Sequence, residues 1–144
     1  MRRLVSSADA EPRNGELTDI GALLRQRASD RVSVSVPADP VLLEATVAEE
    51  LAAAAGNALD NAAAHAGPDA RAYVLVEDLG DTVTVSIRDD GVGISDGRLS
   101  AAVGEGRFGI AKSIVGRMDW LGGSAKLNTG PGCGTEWELT IPRR

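Results

Sequence analysis

Four short stretches of the chain set polar groups or glycines at spacings that suit ligand chemistry. In NALDNAAAHAGP, Asn57 and Asn61 stand four residues apart in an alanine-rich run. Each Asn costs a helix interior roughly 0.5 kcal/mol against Ala. On a helix the two lie about 40° apart, and Glu50 falls about 20° from Asn57. An amide oxygen is a hard, uncharged ligand suited to Mg²⁺ that is otherwise held by phosphate and water. The plainer reading is a pair of solvated amides, with Glu50 solvated beside them. In IRDDGVGI, Asp89 continues a strand while Gly91 and Gly93 let the backbone bend or approach a ligand. A carboxylate at a strand end suits an exocyclic amine, although Asp and Gly also make ordinary turns. In GEGRFGIAKS, Gly104, Gly106 and Gly109 lead into a helical pattern. Backbone N–H groups at such a helix start bind phosphate, and Arg107 or Lys112 adds positive charge. The stretch is not a P-loop, since G-x-x-x-x-G-K-[ST] is absent. GPGCGT places Gly132 and Gly134 before a strand, as a hairpin turn also would.

These residues need elements to hold them. LTDIGALLRQRAS has apolar residues at 17, 20, 23 and 24, a helical spacing. RVSVSVP alternates, which predicts a strand with Val32, Val34 and Val36 on one face. From about Pro40 to Ala66 the pattern is helical, until Gly67 and Pro68 stop it, with His65 in the last turn. RAYVLVEDL and TVTVSIRD then read as strands around a Gly80-Asp81 hairpin turn. A glycine-rich loop from Asp90 to Gly109 precedes the helix IAKSIVGRMDWL, which Gly122 and Gly123 close. SAKLNT and GTEWELTIP form a last hairpin. This order predicts an α+β fold: a two-layer α/β sandwich, with helices covering one face of a mixed, mostly antiparallel sheet.

At 144 residues the chain suits one domain. Residues 1–15 carry Pro12 and Gly15 without a period and read as a linker or disordered end, which leaves 16–144 as the folded unit. Aromatics are only 3% of residues, so the core must be built from Ala, Val, Leu and Ile. The net charge of −6, without a basic cluster, argues against a nucleic-acid partner or an anionic membrane surface. One cysteine, Cys133, excludes an intrachain disulfide and suits a reducing cytoplasmic setting; one histidine leaves little room for a His-based metal site. No apolar run reaches the length of a membrane span, so any membrane anchor would belong to another part of a longer polypeptide. Trp120 and Trp137 read as packing residues.

Taken in order, the four stretches resemble the GHKL ATPase superfamily, which holds gyrase-type topoisomerases, heat-shock chaperones, sensor histidine kinases and mismatch-repair ATPases. The resemblance covers about residues 16–142. It is closest to the ATP-binding catalytic domain of bacterial two-component histidine kinases, in particular actinobacterial sensors that pair with LuxR-type response regulators. It implies the GHKL fold, with ATP and Mg²⁺ as cofactors. Asn61 matches the Mg²⁺ position, and Asn57 is the first residue of the asparagine motif, near the triphosphate. Asp89 matches the residue that takes the adenine amino group, in a pocket shaped by Gly91 and Gly93. Gly104, Gly106 and Gly109 match the lid and the phosphate-side helix start, beside the charge of Arg107 or Lys112. Thr135 matches the residue closing the adenine pocket, and His65 caps its helix or lines the site.

The sequence also departs from the pattern. Glu often occupies the place of Asn57 and acts as general base, which an amide cannot do; Glu50, on the same face, is the candidate substitute. Ala64 stands where many kinases carry Lys or Arg. The phosphoacceptor histidine of the family lies on a separate dimerisation domain, and His65 is not in that context. The resemblance therefore implies a catalytic domain that binds Mg²⁺-ATP and passes the γ-phosphoryl to a histidine elsewhere. The alternatives are a stand-alone anti-sigma factor serine kinase and a nucleotide-binding pseudokinase.

Overall fold

Alternating valines decide the central layer. The computed structural model describes residues 16–65, 70–91, 107–129 and 134–143, with only the backbone described for 65, 107–112 and 129. The elements run β1 (Leu17–Asp19), α1 (Ile20–Arg25), β2 (Val32–Ser35), β3 (Leu42–Glu44), α2 (Ala45–His65), β4 (Ala72–Asp78), β5 (Thr82–Asp89), α3 (Arg107–Trp120), β6 (Ser124–Thr129) and β7 (Thr135–Pro142). Five strands form one sheet in the order β2-β4-β5-β7-β6. β2 runs parallel to β4, and the other neighbours are antiparallel. The fold is thus the expected two-layer α+β sandwich.

One side chain in two points into the helical layer. Val74, Val76, Val83, Val85, Ile87, Leu139 and Ile141 are buried there. Ser33, Ser35, Glu77, Arg88, Lys126 and Glu138 alternate with this inner set and are exposed. α2 meets the inner face through Leu51, Ala54, Ala55 and Ala58, and α3 through Ile114 and Met118. Alanines let α2 lie close to the sheet, which suits a core poor in aromatic rings. Trp137 is buried in this layer as expected, but Trp120 is 68% exposed at the end of α3 and is not a packing residue. No helix among the described residues is long and apolar enough to cross a membrane.

Two short strands differ from the helices that spacing predicts. Leu17–Asp19 is β1, not the first turn of α1, and Leu42–Glu44 is β3, not the start of α2. They pair antiparallel, Leu17 opposite Glu44 and Asp19 opposite Leu42. The reason lies in Asp19. Its Oδ1 accepts from the N–H of Gly21, capping α1, and from the N–H of Val41, both at 3.0 Å. One carboxylate therefore ends β1, starts α1 and holds the approach to β3. Val41 and Leu43 are buried while Leu42 and Glu44 are exposed, a period of two that a short apolar run hides.

α3 ends where the two glycines predict. The Gly123 N–H donates to the Met118 carbonyl at 2.8 Å, and that of Gly122 to Asp119 at 3.0 Å. The exit then lies flat on β7, since a Cβ on Gly123 would stand 2.2 Å from the Thr140 carbonyl oxygen. Gly123→Ala should therefore lower stability by about 1–3 kcal/mol through overpacking against fixed backbone, read as a fall in the urea midpoint with an unchanged m-value.

Candidate functional site

The site begins where β5 ends. Asp89 is the last residue of that strand, on the inner face, and is only 6% exposed. It is flanked in register by Ala72 of β4 and Thr135 of β7. The structure thus places Asp89 and Thr135, distant in sequence, as directly paired neighbours. Gly91 lies immediately beyond, and its N–H donates to Asp89 Oδ1 at 2.9 Å. That bond fixes one carboxylate oxygen and turns the chain. On the β7 side, Gly134 has φ +72, and a Cβ there would meet the Asp89 carbonyl oxygen at 2.1 Å. The last turn before β7 can pass Asp89 only as glycine.

Asp89 opens into a cleft of about 240 Å³, lined also by Leu59, Ala62 and Ala63 of α2, by Val32 and Ala72 of the sheet, and by Arg31, Ala70 and Arg71. The walls from α2 are apolar, and the carboxylate is a polar acceptor at the sheet side. A flat, weakly polar group bearing an amine suits such a slot: its faces replace water against alanine and leucine, and its N–H meets an acceptor already desolvated.

Asn57 and Asn61 belong to the same half of α2, and Asn57 reaches α3. Asn57 Nδ2 donates to Ser113 Oγ at 3.5 Å, a long bond. Asn61 Oδ1 is buried and has no hydrogen-bond partner among the described residues. Leaving such an acceptor unmet costs about 1–3 kcal/mol, so it calls for a ligand. A cation fits: the free atom is a hard oxygen and carries no charge. Among the described residues no three His, Cys, Asp or Glu side chains gather to hold a metal. A Mg²⁺ ion bound at Asn61 would take its remaining oxygens from phosphate and water.

Glu50 occupies a different position. It lies about 10 Å along the helix from Asn57, and its Oε1 accepts from Arg117 Nη1 of α3 at 2.7 Å. Both side chains are 36% exposed, so the pair is screened and contributes a few tenths of a kcal/mol. Glu50 is therefore engaged as a tie between α2 and α3. Gly93, Gly104, Gly106 and Cys133 lie outside the described residues. The backbones of Arg107, Gly109 and Lys112 form the first turns of α3, and that of His65 the end of α2; their side chains lie outside the described residues.

Arg31 and Arg71 lie outside the sequence motifs, and Asp90 lies inside one without a role read from it. Arg31 and Arg71 line the cleft. The Arg71 N–H donates to Asp90 Oδ1 at 2.7 Å. A signal for that last pair does exist. A hairpin centred on Gly80-Asp81 sets Arg71 opposite Asp90, one step past the pairing of Ala72 with Asp89.

Comparison with known proteins bears on this geometry. Residues 46–144 match the family described as "Histidine kinase-, DNA gyrase B-, and HSP90-like ATPase". No curated protein sequence matches the chain. Among solved structures it is similar to the ATP binding domain of PrrB from Mycobacterium tuberculosis, with TM-score 0.65 and 24% identity, over 89% of this chain and 96% of that one. It is also similar to the histidine kinase domain of the Erythrobacter litoralis EL346 blue-light activated histidine kinase, with TM-score 0.61 and 21% identity over 86% of this chain. The Acinetobacter baumannii histidine kinase AdeS gives 0.64 and 18%, over 90% of this chain and 67% of that one. The chain spans 57% of the Erythrobacter kinase domain and 39% of the longer Erythrobacter chain. At these identities the likeness is one of fold.

Gly134→Ala should cost about 1–3 kcal/mol of stability, from the forced contact with Asp89 and the positive φ together. Chemical denaturation checks this, and a neutral substitution would refute the close packing of β7 on the Asp89 turn.

Proposed function

The chain belongs to the histidine kinase-, DNA gyrase B- and HSP90-like ATPase family, and on that premise we propose that it binds ATP with Mg²⁺ and donates the γ-phosphoryl to a histidine on a separate dimerisation domain. In this reading it is the catalytic part of a cytoplasmic two-component sensor, and a LuxR-type response regulator is reached through the whole kinase. The observation that carries the reading is Asp89: a buried carboxylate, in a cleft with apolar walls, with one oxygen already held by Gly91.

Each residue then has a task. Asp89 accepts a hydrogen bond from the adenine amino group. Guanine presents an oxygen at that place and would face the carboxylate unpaired. Leu59, Ala62 and Ala63 cover the base and keep water out. Thr135, beside Asp89 in register, closes the pocket. Asn61 holds Mg²⁺ through Oδ1, and the ion, when bound, neutralises charge on the phosphates. Asn57 lies on the triphosphate side. Gly104, Gly106 and Gly109 with Arg107 and Lys112 belong to the phosphate-side loop and helix start, where backbone N–H groups receive anions. The only histidine in the sequence, His65, ends α2, so the phosphoacceptor is assigned to another domain.

A second reading, nucleotide binding with little transfer, is favoured by one observation. Asn57 has an amide where a general base would be needed, and the Glu50 carboxylate on that face is paired with Arg117. Adding the matching dimerisation domain and labelled ATP separates the two: sustained phosphohistidine supports the kinase, and retained ATP binding without transfer supports the second reading.

Calorimetric titration of ATP and GTP, with and without Mg²⁺, tests the shared part. ATP should bind more tightly than GTP. Asp89→Asn should weaken ATP about ten- to hundredfold, the worth of a charged hydrogen bond. Asn61→Ala should remove most of the gain that Mg²⁺ gives while leaving Mg²⁺-free binding near its original strength. Equal affinity for ATP and GTP in the unaltered protein would overturn the role of Asp89.

A further inference from the structure

Asp90 is exposed, lies next to the buried Asp89, and is held from two sides by one residue. Its N–H donates to the Arg71 carbonyl at 3.1 Å, and its Oδ1 accepts from the Arg71 N–H at 2.7 Å. This closed pair extends the β4–β5 ladder one step past the register of Ala72 with Asp89. Arg71 is itself pinned, since its Nη1 donates to the Asp30 carbonyl at 2.8 Å, just before β2. The ends of β2, β4 and β5 are thereby fastened together on the side of the cleft.

The consequence falls on Asp89. Its carboxylate is aimed by the N–H of Gly91, and the turn between them passes through Asp90. Gly134 packs on the opposite side, where a Cβ would lie 3.4 Å from the Asp90 Cα. The two bonds to Arg71 hold Asp90 in that turn, and with it the orientation of the Asp89 carboxylate. We propose that Asp90, clasped to the Arg71 backbone, is a positioning residue that sets the purine selectivity of the site by fixing the orientation of Asp89. The inference rests on the reading of Asp89 as the adenine acceptor.

The test is the ratio of GTP to ATP dissociation constants, measured by calorimetry on the full chain. Changing an acidic side chain alters the attraction of any nucleotide, but it alters both alike, so the ratio reports orientation alone. Asp90→Ala should lower the ratio about three- to tenfold, the worth of one hydrogen bond. Asp90→Asn, whose amide oxygen can accept the same bond, should keep the ratio within about twofold. Asp90→Glu retains the charge and shifts the carboxylate by one methylene, and should behave as Asp90→Ala. It keeps the test available if the alanine variant does not fold. An unchanged ratio in both disrupting variants, or equal weakening of both nucleotides, overturns the clasp. If the unaltered protein itself does not prefer ATP, the reading of Asp89 fails instead.

Discussion

A carboxylate withdrawn from water at the end of a strand must be compensated, and much of this molecule is arranged around that requirement. Asp89 receives one backbone N–H from Gly91, and its main chain is flanked in register by Ala72 of β4 and Thr135 of β7. Desolvating a charge is expensive unless a partner meets it. Asp89 also lines the cleft, where a ligand donor could meet the carboxylate. The absence of a side chain at Gly134 belongs to the same arrangement, because β7 could not otherwise lie against that strand end.

The helix across the cleft meets a second constraint. α2 must press on the sheet and also carry polar groups at its edge. Alanine at positions 54, 55 and 58 satisfies the first, and Asn57 and Asn61 occupy the border where the apolar stripe ends. An asparagine oxygen buried without a partner among the described residues is unfavourable. Such a cost makes sense where a ligand removes it. α3 completes the arrangement, tied to α2 by Glu50 with Arg117 and by Asn57 with Ser113.

How much of this could be read from residues alone follows from range. The long alternations of TVTVSIRD and TEWELTIP and the glycine stop after α3 are local, and they appear where their patterns place them. β1 and β3 are three residues each, too short for a period to show, and they exist because Asp19 and a distant partner strand hold them. The nearness of Asp89 to Thr135 was carried by motif order, since no local rule sets the β5–β7 register. The commitment of Glu50 to Arg117 was invisible for the same reason: it depends on how two helices cross. Trp120 shows the limit of composition, as a large apolar residue at a helix end need not face inward.

The strand order has one further effect. β7 comes last of the described elements, yet it lies inside the sheet, between β5 and β6. A nascent chain leaving the ribosome presents β2, β4 and β5 long before their central neighbour. Until β7 emerges, β5 has a bare edge and the Asp89 turn lacks one wall. Completion of the sheet and enclosure of the Asp89 turn are then a single event during synthesis, set by the emergence of β7. A growing polypeptide would gain the full surroundings of Asp89 abruptly, once β7 has emerged, rather than in stages.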